Sequence, residues 1–539
     1  MEEKEISLEI KKPEIWILLA FLALVFVLEV LMTTSTPISF GDEGYHTRMA
    51  QWIGQKQEYP VWTPFEGTNL ERASFARPPI FNILEGSFIF IFGFNELIIK
   101  LLTPFIVFLT GISVFILTKR IFNSKVALIA AIATVTIPAL VTYSVTFYVD
   151  AFLTFNMAMF FLLFILALKE SNQKYLILSG AFGAFALLTK ITGLMVYAFA
   201  FFAFFYELIK ERKKISDLFK KYWPLVAVMI LIPSGWLIRN YYYYNNPICY
   251  SLPFVNLFST KGCSIDQFQG KYQFPGINQQ TGSNISVYDM APEGILSYLD
   301  FAYGVLWFVM IAFFCGLAIL FLKRDMINDL LLISLALFLI IFYMTTGRAE
   351  DTARYTLGWV PIIALVAAIW LGEVYDFVKK YQKYLALVVF IFVFVFSYQN
   401  LNSKLAVMGQ VKQFSPLFFE ACDWIKVNTP QNSLIMTIWA HRAVYNCQRN
   451  AAGDIADIAM STDVNYTLSV AKELGITHLF IQKFSIGNSP MEEQYSIEFV
   501  QFLENNPDHF KVIFENGLSL QQCVQQSGCD GNILYQIVF

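Results

Sequence analysis

Apolar runs of roughly 20 residues, the length that crosses about 30 Å of hydrocarbon, recur along most of the chain. They lie near residues 15–33, 97–118, 126–147, 151–168, 175–189, 191–208, 223–243, 297–322, 330–346, 356–372 and 385–400. Roughly eleven spans is an odd number, which puts the two ends of the chain on opposite sides of a membrane. A shorter run at 80–92 reads as interfacial or re-entrant, because counting it as a span would invert the basic loop that follows. Within the same first loop, residues 34–96, Tyr45, Met49, Trp52 and Ile53 recur at helical spacing and predict a second membrane-hugging helix starting at Asp42. From about residue 402 the pattern changes to short Val/Ile/Phe-rich segments (434–439, 478–482, 510–515, 533–539) that alternate with helical periodicity at 416–428, 463–474 and 497–505. That alternation predicts a small α/β domain over 402–539 behind a membrane domain over 1–401.

Charge orients this pattern. Lysines and arginines gather before the first run and then in 119–125, 169–174, 210–221, 323–324 and 379–383, which are alternate loops. Positive charge marks the cytoplasmic side, so the N-terminus is expected in the cytoplasm of a multi-pass cell (plasma) membrane protein. Loops 34–96, 244–296 and 347–355 and the C-terminal domain then fall outside. A 56% hydrophobic composition and a mean hydropathy of +0.53 exceed what one soluble core would hide. The net charge of -3 offers no basic footprint for nucleic acid. The first run is long and has no small-residue cleavage site close behind it, so it reads as a retained span. Of seven cysteines only Cys315 lies in an apolar run; Cys249, Cys263, Cys422, Cys447, Cys523 and Cys529 lie in segments expected outside, where disulfides are plausible. Asn284-Ile285-Ser286 and Asn465-Tyr466-Thr467 are short sequons in such segments.

Candidate chemistry sits where apolar runs meet outer loops. Asp42 and Glu43 follow the first span, and Asp42 has a plain reading as a helix N-cap with Glu43 in an acidic first turn. The same position at a membrane surface suits a carboxylate that takes a proton from an acceptor hydroxyl. Asp150 stands alone between two spans and emerges on the same side. Arg77 precedes two consecutive prolines that fix its backbone, and Lys190 interrupts an apolar hairpin at its outer turn. Arg239 ends a later span, and Arg348, Arg354 and Tyr355 occupy a short outer loop. Carboxylates and cations thus share one face, as an anionic lipid-linked substrate requires. His46, four residues after Asp42, could join it on a divalent ion, but one His and one Asp are not a metal site, so no cofactor is expected. No Gly-rich phosphate loop is present.

The motifs Gly41-Asp42-Glu43-Gly44-Tyr45 after the first span, Arg77-Pro78-Pro79, Asp150, Leu188-Thr189-Lys190 and Arg354-Tyr355 occur in an order that resembles the GT-C superfamily of polyprenyl-phosphate-dependent glycosyltransferases, in its protein O-mannosyltransferase and aminoarabinose transferase branch. The resemblance covers residues 10–400. It implies a polytopic α-helical membrane protein of about 11 transmembrane helices, with a large first outer loop bearing interfacial helices, followed by a small α/β extracytoplasmic domain. It also implies inverting transfer of a sugar from a dolichyl- or undecaprenyl-phosphate donor to a protein, lipid or glycan acceptor. On that reading Asp42 is the base, Glu43 and Asp150 support the acidic site, Arg77, Lys190, Arg354 and Arg239 are candidates for the donor phosphate, and Tyr355 lines the donor pocket. The metal-site pattern of the oligosaccharyltransferases is not visible. A second reading, from the same cationic face and from Glu29 and Lys190 within apolar runs, is a polyprenyl-lipid binding or transport protein without transferase activity.

Overall fold

The computed structural model describes residues 13–35, 37–38, 42–69, 72–74, 77–248, 307–345, 354–381, 391, 395, 415–453, 455–487, 495–519, 522–523 and 529–539. Most of the run at 385–400, most of the loop 244–296, Arg348, Asn284, Cys249 and Cys263 lie outside the described residues.

Helix α1 (Pro13–Ser35) leads into α2 (Glu43–Lys56), strands β1 (Trp62–Gly67) and β2 (Arg72–Ser74), and then α3 (Ile80–Phe92) and α4 (Glu96–Lys100). The bundle continues through α5 (Leu102–Ile121), α6 (Ser124–Thr136), α7 (Pro138–Val145), α8 (Val149–Glu170), α9 (Gln173–Thr189), α10 (Met195–Ile209) and α11 (Ile215–Tyr244). Beyond it lie α12 (Trp307–Leu322), α13 (Met326–Thr345) and α14 (Val360–Tyr381). Among the described residues six helices are long and apolar enough to cross a membrane, or up to seven if the bent pair α6–α7 is one span; α3 and parts of α12 and α13 form shorter apolar helices. The apolar window of α8 is 83% buried and that of α11 only 28%, so α8 is central and α11 turns most of its apolar surface outward. Phe160, Phe161 and Phe164 of α8 pack edge-on against Phe199 of α10. The indole of Trp359, just before α14, is fully buried and donates to the Ser334 carbonyl at 3.0 Å.

The single run expected at 126–147 is instead two helices bent by 54° at Ile137. Pro138 is the cause: it brings no N–H to continue α6 and sits as the first residue of α7. The break leaves Thr146, Phe147 and Tyr148 as a non-helical corner before α8. The hairpin at Lys190 is equally local. α9 stops at Thr189, Lys190 is extended, and a 3₁₀ turn over Ile191–Leu194 leads into α10. A β-carbon on Gly193 would lie 2.3 Å from the Ala186 carbonyl, so glycine permits the tight return.

Residues 415–539 fold around a sheet. α15 (Pro416–Asn428), β3 (Leu434–Met436), α16 (Ala440–Asn446), β4 (Asn450–Ala452), α17 (Ala456–Ala459), α18 (Val464–Leu474) and β5 (His478–Gln482) come first. The short β6 (Ile486–Gly487) and β7 (Tyr495–Ser496), α19 (Ile497–Glu504), β8 (Phe510–Gly517) and β9 (Gly531–Ile537) complete it. The main sheet has the order β2-β1-β4-β3-β5-β9-β8, with β1 parallel to β4 at Glu66 and Ala451. The first loop therefore contributes two strands to the sheet of the C-terminal segment.

That sharing changes the role expected of α2. Its apolar face, Tyr45, Met49 and Ile53, packs with Phe418, Cys422, Ala440 and Ala443 of the C-terminal segment rather than lying on a membrane surface. The contact is close: a β-carbon on Gly44 would sit 2.5 Å from the His441 carbonyl oxygen, and one on Gly54 would sit 2.7 Å from the Gly86 carbonyl oxygen of α3. The end of α3, by contrast, exposes Phe90, Ile91 and Phe92. Disulfides join Cys422 to Cys447 and Cys523 to Cys529, and Cys315 is free. The first ties α15 to the residue that follows α16.

Candidate active site

Five helix ends and one loop meet at the sheet end of the bundle. Asp42 is the N-cap residue of α2 by position, but its side chain makes no cap hydrogen bond. Its Oδ2 lies 3.0 Å from Arg354 Nη2 and 3.7 Å from Arg77 Nη1, and its backbone N–H donates to the Tyr148 hydroxyl at 2.9 Å. Asp150, in the first turn of α8, is fully buried; its Oδ1 accepts from Lys190 Nζ at 2.6 Å and its Oδ2 from Arg354 Nε at 3.0 Å. One guanidinium thus bridges the two carboxylates. The side chains grade outward from Asp150 at 0% exposed to Arg77 at 34%, so the open side of the cluster is the Asp42–Arg77 side.

Every cation rests on an aromatic ring. Arg354 lies 4.4 Å from the Tyr148 ring centroid, Lys190 4.4 Å from Tyr355 and Arg77 4.1 Å from Tyr45. Such contacts stabilise a desolvated cation by roughly 0.5–2 kcal/mol and restrict its position. Glu43 is buried and turned to the corner made by the Pro138 break, where its Oε1 accepts the Phe147 N–H at 2.8 Å. It fastens the first turn of α2 to the residues just before Asp150. Arg239 is not brought into the cluster. Its guanidinium donates to the Pro60 carbonyl at 2.6 Å and stacks on Tyr59, whose hydroxyl donates to the Arg77 carbonyl at 3.2 Å.

Electrostatics follow from this packing. Burial by itself would raise the pKa of Asp42, but Arg77 and Arg354 outweigh it and hold the carboxyl well below the usual carboxylate range. His46 goes the other way: burial, reinforced by Arg77, lowers it to about 4, so its imidazole is neutral at pH 7 and shares a 2.9 Å hydrogen bond with the Asn82 amide. Among the described residues no three His, Cys, Asp or Glu side chains come together as metal ligands. Asp42 and His46 do not make a donor set for a divalent ion, because guanidinium nitrogens stand beside the carboxylate where such an ion would bind.

Residues 76–238, which contain Arg77, Asp150 and Lys190, match the family model of dolichyl-phosphate-mannose-protein mannosyltransferases. The oligosaccharyltransferase of Archaeoglobus fulgidus in its apo form superposes with a TM-score of 0.66 over 94% of this chain and 81% of its own, at 13% identity. Archaeal oligosaccharyltransferase AglB from the same organism, in complex with an inhibitory peptide and a dolichol-phosphate, gives 0.63 over 95% and 81% at 12% identity. ArnT from Cupriavidus metallidurans bound to undecaprenyl phosphate gives 0.61 over 98% and 99%, also at 12% identity. The chain has the GT-C fold. No curated protein matches it in a sequence comparison. The family match and the GT-C fold together indicate a glycosyltransferase in a membrane and support transfer of a lipid-linked sugar in general terms.

The GT-C bundle also supplies residues that the sequence pattern passed over. Tyr148 meets both Asp42 and Arg354, although its place two residues before Asp150 was a signal available in the sequence. Tyr45, expected on an apolar face and as the last residue of the Gly41-Asp42-Glu43-Gly44-Tyr45 motif, is the platform for Arg77. Glu66 on β1 and His441 on α16 approach to 3.5 Å behind that platform, and the His441 ring lies 5.3 Å from that of Tyr45. No local pattern announces a pair so far apart in the chain.

Proposed function

We propose that the protein is an inverting glycosyltransferase that moves a sugar from a polyprenyl-phosphate donor to a protein, lipid or glycan acceptor at the outer membrane face. The observation that carries this reading is the Arg354 bridge between Asp42 and Asp150, with Lys190 and Arg77 alongside. It sets a carboxylate base beside a fixed cationic group able to receive a phosphate.

The chemistry then runs as a single displacement. The acceptor oxygen or amide nitrogen bonds to the anomeric carbon, the carbon–oxygen bond to the phosphate breaks, and its electron pair leaves on the polyprenyl phosphate while Asp42 takes the acceptor proton. Negative charge grows on the leaving phosphate, and the cations held by aromatic faces and by Asp150 stabilise it without reorganising. In the resting state the same cations make Asp42 a weak base. A donor phosphate competes for Arg77 and Arg354, and so restores basicity to Asp42 when the donor is bound. Glu43 serves through the backbone, as the tie between α2 and the corner at Phe147. The alternate basic loops favour an outer location for this end of the bundle, where the polyprenyl chain lies in the outer leaflet.

Purified protein supplied with a radiolabelled polyprenyl-phosphate sugar and membrane extract should move label to a product separable from the donor. Donor lipid that crosses proteoliposomes with no covalent product would overturn the enzymatic reading in favour of lipid transport.

A further inference from the structure

A cavity of about 670 Å3 opens between the first loop and the C-terminal segment. Its size falls within the roughly 300–1,000 Å3 of pockets that hold small ligands. Strand β1 and its flanking residues 60–61 and 68–69 form one wall, Asn432, Leu434, Asn450 and Gly475 the other, and Tyr243 from the end of α11 closes one side. Its chemistry is selective. Trp52, Trp62 and Tyr243 supply aromatic surface, and Glu58, Asn69, Asn432 and Asn450 are exposed polar side chains. Among the described residues none of those four engages a side-chain hydrogen bond. The Trp52 indole N–H, also in the lining residues, is buried without a partner. Glu66 belongs to this cavity and to the network behind the active site, since it faces His441, which meets the Tyr45 platform of Arg77.

We infer that this cavity is an acceptor subsite for a saccharide, so that the acceptor carries sugar residues beyond the one that reacts. The inference rests on the glycosyltransferase reading and deepens it. A pyranose has an apolar C–H face that stacks on Trp or Tyr, and an opposite set of hydroxyls that needs groups both donating and accepting; carboxylate and amide side chains provide these. A polypeptide acceptor would call instead for a strand edge or an apolar groove. This cavity has four uncommitted polar side chains around aromatic rings, and the sheet edge within it is already paired, β1 with β2 and β4. The cavity between α12 and α13 is lined mainly by apolar side chains such as Phe313, Phe314, Leu317 and Leu332, and its Asp329 carboxylate is already bound by Tyr206 and Arg324, so it offers no uncommitted carboxylate or amide to a saccharide. Glu66 makes the link to the chemistry: only His441 and Tyr45 stand between it and Arg77 along these contacts.

The test is binding by the full-length protein in detergent or nanodiscs, read by ligand-observed NMR, with mannotriose, maltotriose and chitotriose as probes and a Ser/Thr-containing hexapeptide alongside. At least one trisaccharide should bind, and the double variant Asn432→Ala/Asn450→Ala, whose side chains are exposed, should weaken it roughly tenfold, about 1.4 kcal/mol. Trp62→Ala should do the same if it folds. Asp42→Asn should leave trisaccharide affinity unchanged, because its carboxylate lies outside the cavity. Failure of all three trisaccharides to bind, or binding that the asparagine variants do not alter, would overturn the subsite. Hexapeptide binding that the asparagine variants abolish would overturn it in favour of a peptide acceptor. Either failure leaves label transfer from the polyprenyl donor standing, so it is distinguishable from failure of the glycosyltransferase reading.

Discussion

Arg354 serves two masters. Its Nε holds Asp150 and its Nη2 holds Asp42, so it stiffens the cationic pocket and suppresses the basicity of the group proposed to take the proton. Replacing it separates the two effects. In Arg354→Gln the depressed pKa of Asp42 should move up toward the ordinary carboxylate range, and the acid limb of kcat/KM should shift to higher pH while kcat falls. An unshifted limb with lowered kcat would mean that the titrating base is another group. Asp150 is the more structural of the two carboxylates, since Asp150→Ala leaves Lys190 and Arg354 without their buried counter-charge; a cost of about 3–5 kcal/mol is expected, seen as a lower denaturation midpoint. The charged members of this cluster were legible in the sequence because each interrupts or borders an apolar run, where a charge is expensive and so conspicuous. Glu66 and His441 were not, and Tyr45 and Tyr148 stood out only as neighbours of the carboxylates. Their roles arise from residues distant in the chain, and aromatic residues are common at span ends in any case.

At the scale of elements, the long spans follow from run length alone, whereas two features that aim the site do not. Run length treats 126–147 as one helix; the missing N–H of Pro138 splits it and turns the chain so that Phe147 can donate to Glu43. The apolar stripe of α2 marks a buried face without saying what buries it, and the partner proved to be α16 rather than a membrane surface. β1 has only six residues, with Pro64 among them, too short and too interrupted to stand out as a strand; pairing to β4 makes it one. Close approach is the testable consequence. Gly44→Ala should force α2 away from the His441 carbonyl and destabilise the protein by roughly 1–3 kcal/mol. Gly93→Ala is no fair control, because Gly93 has a positive φ; Gly235, whose β-carbon would meet nothing, is one. A denaturation midpoint lowered equally in Gly44→Ala and Gly235→Ala would count against the α2–α16 contact.

At the scale of the molecule, the first loop and the C-terminal segment form one sheet, and the pair of Glu66 and His441 joins them by charge. Burial alone would raise Glu66 and lower His441; their mutual attraction outweighs it, so Glu66 is lowered and His441 raised from ordinary values of 4.5 and 6.5. Glu66 therefore adds stability above its unfolded pKa, lost as pH falls through its lower folded value. His441 adds stability below its unfolded pKa, lost as pH rises through its higher folded value. Attachment should be strongest between these limits, and Glu66→Gln should flatten both sides of the Tm-against-pH curve. Reduction of the Cys422–Cys447 disulfide, which closes a separation of 25 residues, should lower stability by roughly 3 kcal/mol and loosen α16 beside the site. A pH profile unchanged by Glu66→Gln would mean that the sheet alone holds the two parts together.

The role of Asp42 as base in a transfer from a polyprenyl-phosphate donor is tested by comparing single-turnover transfer of radiolabelled sugar by the wild-type protein and by Asp42→Asn, with donor affinity measured in parallel. The amide preserves size, its oxygen can still accept from Arg354, and the backbone N–H of residue 42 keeps its bond to the Tyr148 hydroxyl, so donor binding should persist while the transfer rate falls by roughly a thousandfold or more, in line with loss of a general base and its neighbouring charge. Transfer at the wild-type rate by Asp42→Asn, with donor bound equally well, would contradict the account.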